Sequence, residues 1–324
     1  MQQILKESGV SYASFVDDIT EMVKCRLGRE YDINVIKVTK NNSIELDSLV
    51  IREKGRNFAP NIYLLPYYEA YMDGVSLQEL TSRVCAASNH YSTPFPEKNL
   101  ELSMKEMREN IVIRLVNYDK NKKLLESIPY IKYLDLAVIF HCLVHNVEEG
   151  LGTIRITNEH LELWGINIEE MKSLALKNTT KKFPAIIRSM EEVIGELLIE
   201  ELTETSLPSD LQEEIDLFKQ ETRQLREENG STNMYILSNN KGINGATCIL
   251  YKNVLKQFAE QLQSDLFILP SSIHEVILIP YHNSISYQQL TKMVQEVNLT
   301  QVAGDEVLSD KVYYYSRLKN VITQ

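Results

Sequence analysis

The chain is poor in the patterns that announce chemistry. Its four cysteines, Cys25, Cys85, Cys142 and Cys248, lie far apart and form no CxxC pair, which removes the common zinc and dithiol motifs. Each has apolar neighbours, so each is expected as a buried free thiol in a reducing compartment. GxGxxG, GxxxxGKS/T and HExxH are all absent, so no cofactor is expected from phosphate-cradling loops or zinc-binding helices. No apolar run reaches bilayer length. The longest, Leu134–Val144, is broken by Asp135 and His141, which excludes a spanning helix there. Met1–Val10 carries Lys6 and Glu7 and no apolar core, so no signal peptide is expected and the cytoplasm is the expected compartment. Positive charge is also scarce: 34 Lys and Arg stand against 45 Asp and Glu, a net charge of -11. That balance disfavours nucleic acid, because phosphate binding requires cations to displace counterions. The one dense basic cluster, Lys177, Lys181, Lys182 and Arg188, reads as the C-terminal end of a helix.

What is present is a substantial apolar fraction, 44% of 324 residues, enough for a sizeable core. The periodicities predict an α+β fold of mixed, largely antiparallel sheets with packed helices. In residues 1–109 they predict a helix over Ser11–Arg26, strands at Ile33–Val38, Ile44–Arg52 and Asn61–Leu64, and a helix at Leu77–Ala87. Pro60 and Pro66 punctuate the third strand. A middle unit, 110–202, carries a strand at Ile111–Val116. The run Leu134–His145 there reads as strand, with a buried helix as the alternative. Asn158 and Asn167 are placed as caps, and a helix is expected over Ile187–Leu202. Thr203–Gly230 holds Glu213, Glu214, Glu221, Glu227 and Glu228 and reads as an acidic helical linker. The C-terminal α+β unit, 231–324, opens with strands at Met234–Leu237 and Cys248–Tyr251 around a turn at Asn239–Gly245. Asn253 then caps a helix over Val254–Leu262. Strands at Leu266–Leu269 and Val276–Ile279, a helix at Tyr287–Val297 and a strand at Val312–Tyr315 complete it.

Two groups of residues invite a chemical reading. Ser272, His274 and Glu275 lie within one short connection, the residue types of a nucleophile, a base and an orienting carboxylate. Such groups normally converge from distant segments, and neighbours in extended chain point to opposite faces. The alternative is a polar turn whose hydroxyls satisfy backbone amides. His141 and His145 have the spacing of a metal half-site on a helix, but on a strand they would stand too far apart. Asn239–Gly245 (NNKGING) has a lysine and two glycines after a strand and reads as a turn. Trp164 reads as a core anchor. In the run Tyr313-Tyr314-Tyr315, alternation buries one or two rings and exposes the rest.

Long ordered phrases carry a resemblance. They are Val38–Leu64, Asp135–Val138 with Glu149–Glu159, the run Phe267–Pro280, and Met293–Tyr315. Together they resemble the DUF5688 family, uncharacterised bacterial proteins found mainly in gut Firmicutes. The resemblance implies no activity and transfers no catalytic residues, and His141 and His145 belong to none of its motifs. The acidic charge, with no metal or phosphate motif and no convergent nucleophile set, leads instead to an accessory module that binds an unidentified protein partner, without catalysis and away from membranes. The alternative is a hydrolase using Ser272, His274 and Glu275. A further alternative is a nucleic-acid-associated protein of a mobile element or defence system.

Overall fold

A computed structural model describes residues 11–92, 103–147, 150–196, 234–282 and 286–324. The acidic stretch 203–230 and the segment Met1–Val10 lie outside them. The chain divides into two units, Met1–Asn110 with Cys142–Arg155, and Ile111–His141 with Ile156–Gln324. Helices combine with sheets whose registered pairs are antiparallel, and the fold is α+β.

In the first unit, Ser11 caps the helix Tyr12–Leu27, its hydroxyl accepting from the Ser14 N–H at 3.2 Å. Gly28, at φ 75°, ends the helix in a conformation that only glycine adopts freely. Phe15, Ile19 and Val23, four residues apart, form the buried stripe. Strands β1 (Tyr31–Thr39), β2 (Glu45–Glu53) and β3 (Asn61–Tyr63) form an antiparallel sheet in that order. Ile33, Leu49, Ile51 and Ile62 join the helix stripe in one core with Leu80 and Val84 of the helix Leu77–Ser92. Each fully buried Leu or Ile contributes about 2 kcal/mol relative to exposure. The other side of β2 carries Leu46, Ser48 and Val50. Pro66 does not punctuate the chain as expected. It sits in the first turn of a helix, Leu65–Met72, where its missing N–H leaves no bond unmade.

A second sheet holds β4 (Ile111–Asn117), β5 (Tyr130–Tyr133) and β6 (Leu136–Val147) in the order β4-β6-β5, and β7 (Gly150–Arg155) also pairs with β6. The run Leu134–His145 is thus strand from Leu136 onward, with Leu134 and Asp135 in the turn before it. Tyr133 faces Leu136 across a two-residue turn in which Leu134 takes φ 56°. A branched side chain in that left-handed region costs about 1–2 kcal/mol. The turn is held by Asp135. Its carboxylate accepts from Ser309 Oγ at 2.7 Å, from the Tyr313 hydroxyl at 2.5 Å and from Gln324 Nε2 at 2.8 Å.

The largest sheet, in the second unit, is antiparallel at every registered pair. It runs β13-β12-β10-β11-β9-β8, from β8 (Ala185–Ser189), β9 (Tyr235–Asn239), β10 (Leu266–Leu269), β11 (Val276–Pro280), β12 (Tyr313–Ser316) and β13 (Val321–Thr323). All four residues of β10 are buried, which explains its unbroken apolar run: a central strand covered on both faces does not alternate. The helix Tyr287–Thr300 packs Leu290 and Val294 on Phe267, Leu269 and Ile279.

Several local expectations change. Residues 187–189, expected to open a helix, belong to the strand Ala185–Ser189; Ala185 and Ile187 face Asn239 and Leu237 of β9. The helix starts only at 190, capped by Ser189, whose hydroxyl accepts from the Glu192 N–H while the Glu192 carboxylate accepts from the Ser189 N–H. Cys248–Tyr251 is not a strand. Gly245–Leu250 forms a buried 3-10 segment, and short apolar runs cannot be told apart by periodicity. Asn158 is not the cap of its helix; Thr157 is, in a box closed by His160 Nδ1. Asn253 holds the cap position of the helix Val254–Leu262 without a side-chain capping bond. Trp164 is half-buried against the His160 ring at 5.3 Å rather than deep in the core. Cys85, Cys142 and Cys248 are buried, but Cys25 is exposed.

Candidate functional site

The connection Pro270–Glu275 between β10 and β11 is not a free turn. Leu308 N–H bonds the Ser271 carbonyl at 2.9 Å, Ile273 N–H bonds the Glu306 carbonyl at 2.9 Å, and Ser272 bridges to Val307. From the other side comes the loop after β9. Asn239 organises it by accepting from the Lys241 N–H and donating to the Ile243 carbonyl, both at 2.9 Å. The loop delivers Ala246 N–H to the Ile273 carbonyl at 3.2 Å, and Ser238, still on β9, donates its hydroxyl to the His274 carbonyl at 2.8 Å. Gly245 is packed so tightly that a methyl group there would overlap Ser238 Oγ and the His274 carbonyl oxygen.

This frame decides where the three candidate side chains point. The Ser272 hydroxyl is buried; it accepts from the backbone N–H of His274 at 2.9 Å and donates to the Glu275 carboxylate. The His274 ring turns elsewhere. Its Nδ1 accepts from the Asn244 N–H at 3.3 Å, which places the proton of the neutral ring on Nε2, and Nε2 stands 3.3 Å from Glu306 Oε1. The structure therefore pairs Ser272 with Glu275, and His274 with Glu306. A nucleophile needs its hydroxyl on a base nitrogen, and both ring nitrogens of His274 face other groups. What the arrangement does is fasten three chain segments together. Ser272→Ala is expected to lower stability by about 1 kcal/mol through the lost acceptor of the His274 amide, read from urea denaturation.

Burial holds the Glu275 carboxyl above its ordinary value of 4.5; the His274 charge and the Ser272 bond lower it, and Glu306 raises it. Folded Glu275 thus keeps its proton to higher pH than unfolded Glu275. Stability then declines as pH rises from the unfolded value through the folded one, since the native state binds more protons there. Glu275→Gln is expected to flatten that decline, measured as Tm at pH values from about 4 to about 8.

His141 is buried on β6, and His145 follows four residues later on the same strand. Along a strand that spacing separates their Cα atoms by about 13 Å. Among the described residues no group of three or more His, Cys, Asp or Glu gathers to hold a metal, and no helix is long and apolar enough to cross a membrane.

Asn244, Gly245 and Glu306 went unread as members of this cluster. Gly245 had a signal, a glycine opening a run that the structure buries whole (Gly245–Ile249). Glu306 had none, because only the pairing of 272 with 307 brings it near. No curated protein and no solved structure matches the chain. A family model does, over residues 12–317 of 324, and the chain belongs to that family, DUF5688, a family of unknown function.

Proposed function

We propose that the protein is a non-catalytic cytoplasmic accessory module that binds another protein. The supporting observation is the free edge of β1. Lys40 N–H bonds the Ile44 carbonyl at 2.8 Å, and Lys54 N–H bonds the Glu30 carbonyl at 2.9 Å, so these bonds bracket the β1–β2 hairpin. Alternation inward from both ends makes the even-numbered residues of β1 the ones bonded to β2. Tyr31, Ile33, Val35, Lys37 and Thr39 therefore turn their N–H and C=O groups away from it. No strand among the described residues pairs on that side. Nine residues is long for an edge, and Ile36 on it is 44% exposed. Edges of this kind accept an extended peptide by strand addition.

Lys37→Pro tests this. It removes one outward amide and leaves the backbone bonds to β2 intact, losing only the exposed Lys37–Asp47 ion pair. Wild type is expected to retain a stoichiometric partner from native cytosol, and the variant about tenfold less or lower still. A wild-type chain that retains no partner, or a variant that retains it equally, counts against the reading.

A further inference from the structure

Ser48 of β2 and Tyr63 of β3 are direct cross-strand partners. Their side chains share the face opposite Leu49 and Ile51, with Cβ atoms about 5 Å apart. Ser48 is 0% exposed, and its hydroxyl has no hydrogen-bond partner. Arg155, the last residue of β7, has its Nε buried and equally without a partner. Burial pulls the Arg155 guanidinium below its ordinary range, and the group that offsets this is the Tyr63 phenol rather than a carboxylate. Lys40 Nζ stands 4.5 Å from the centre of the same ring. Lys40 thus stands on the ring whose field Arg155 feels, in a chain whose net charge is -11.

Both orphaned groups can donate a hydrogen bond, and leaving such groups buried and unpaired is costly. An anion with two or more oxygen acceptors answers both. The geometry points to a binding site for a small oxyanion, carboxylate or phosphate, anchored by Arg155 and Ser48 and flanked by Tyr63 and Lys40. The guanidinium supplies the planar fork that oxyanions accept in pairs of bonds. Ser48 adds a donor from the sheet, and Lys40 adds charge at the rim. The site is separate from partner binding at the β1 edge and does not depend on it.

The test is calorimetric titration of the full chain at low ionic strength with inorganic phosphate and, separately, with glutarate. One-to-one binding of at least one anion is expected, with a dissociation constant at or below about 1 mM. Binding of phosphate alone, or of glutarate alone, identifies which oxyanion the site takes. Arg155→Gln is expected to weaken that binding by about tenfold or more, and Ser48→Ala by about threefold. If Arg155→Gln does not fold, Arg155→Lys, which keeps the charge and loses the fork, and Lys40→Ala are titrated in its place, each with weaker binding expected. Absence of binding by both anions, or affinity unchanged in the folded variants, overturns the assignment.

Discussion

Gly245→Ala is expected to lower stability by about 3 kcal/mol or more, the upper range for forcing a methyl into a packed interior. The added carbon would overlap Ser238 Oγ and the His274 carbonyl oxygen and stand 2.8 Å from the Asn239 amide nitrogen. Two of these three are backbone atoms, which cannot swing aside as a side chain can. Relief would require parting the loop after β9 from the Pro270–Glu275 connection, breaking the Ala246 and Ser238 bonds to it. Gly242, three residues earlier, is the control. It lies at φ 64°, and a methyl group added there would meet nothing within 4 Å. Gly242→Ala therefore carries only the left-handed backbone penalty, about 1–2 kcal/mol. Chemical denaturation of both variants measures the difference. Equal losses would show that backbone conformation, not contact with His274, governs the loop.

Asp135→Ala is expected to cost about 3 kcal/mol. The substitution takes the acceptor from three donors at once, and one of them, the Tyr313 hydroxyl, belongs to a residue that is 0% exposed. Burial and the Asp135 charge push the Tyr313 phenol far above its ordinary range, so that hydroxyl keeps its proton and needs an acceptor. The strained Leu134 beside it also loses its anchor. Asp135→Asn keeps an acceptor oxygen and is expected to recover part of the loss. In the double variant with Tyr313→Phe the combined loss is expected to fall short of the sum of the two, because both remove the same bond. Additive losses in that cycle would sink the account of Asp135 as the tyrosine's anchor.

What could be read from the sequence followed from local chemistry. The helix starting after Ser11, the β1–β2 hairpin with its Asn-Ser turn, and the strands β10 and β11 each match a period or a cap that neighbouring residues set. The misread elements had competing signals. Ile186 and Ile187 are strand formers that precede a helix pattern, and the pairing with β9 gives them to the sheet. The apolar run after Gly245 suits strand and 3-10 turn alike. Within the candidate site, adjacency in sequence put Ser272, His274 and Glu275 together, but the backbone aims the ring at Glu306 and the hydroxyl at Glu275. The group around Tyr63 was invisible, because Ser48, Arg155 and Lys40 meet only through strand pairing and folding.

The run of three tyrosines in β12 has a consequence for how the large sheet assembles. Sliding that strand two residues along β10 would put Tyr315 opposite Ile268, in the place of Tyr313, and keep every ring on its own side. Only that slot would keep a tyrosine, because Ser316 would replace Tyr314 opposite Phe267 and Arg317 would replace Tyr315 opposite Leu266. The hydroxyls oppose the slip as well. Tyr313 reaches Asp135, Tyr314 reaches Asp265 and Tyr315 reaches Asn320, and a slipped strand would separate each phenol from its own acceptor. The polar tips of the rings thus proofread an alignment that their apolar bodies already favour.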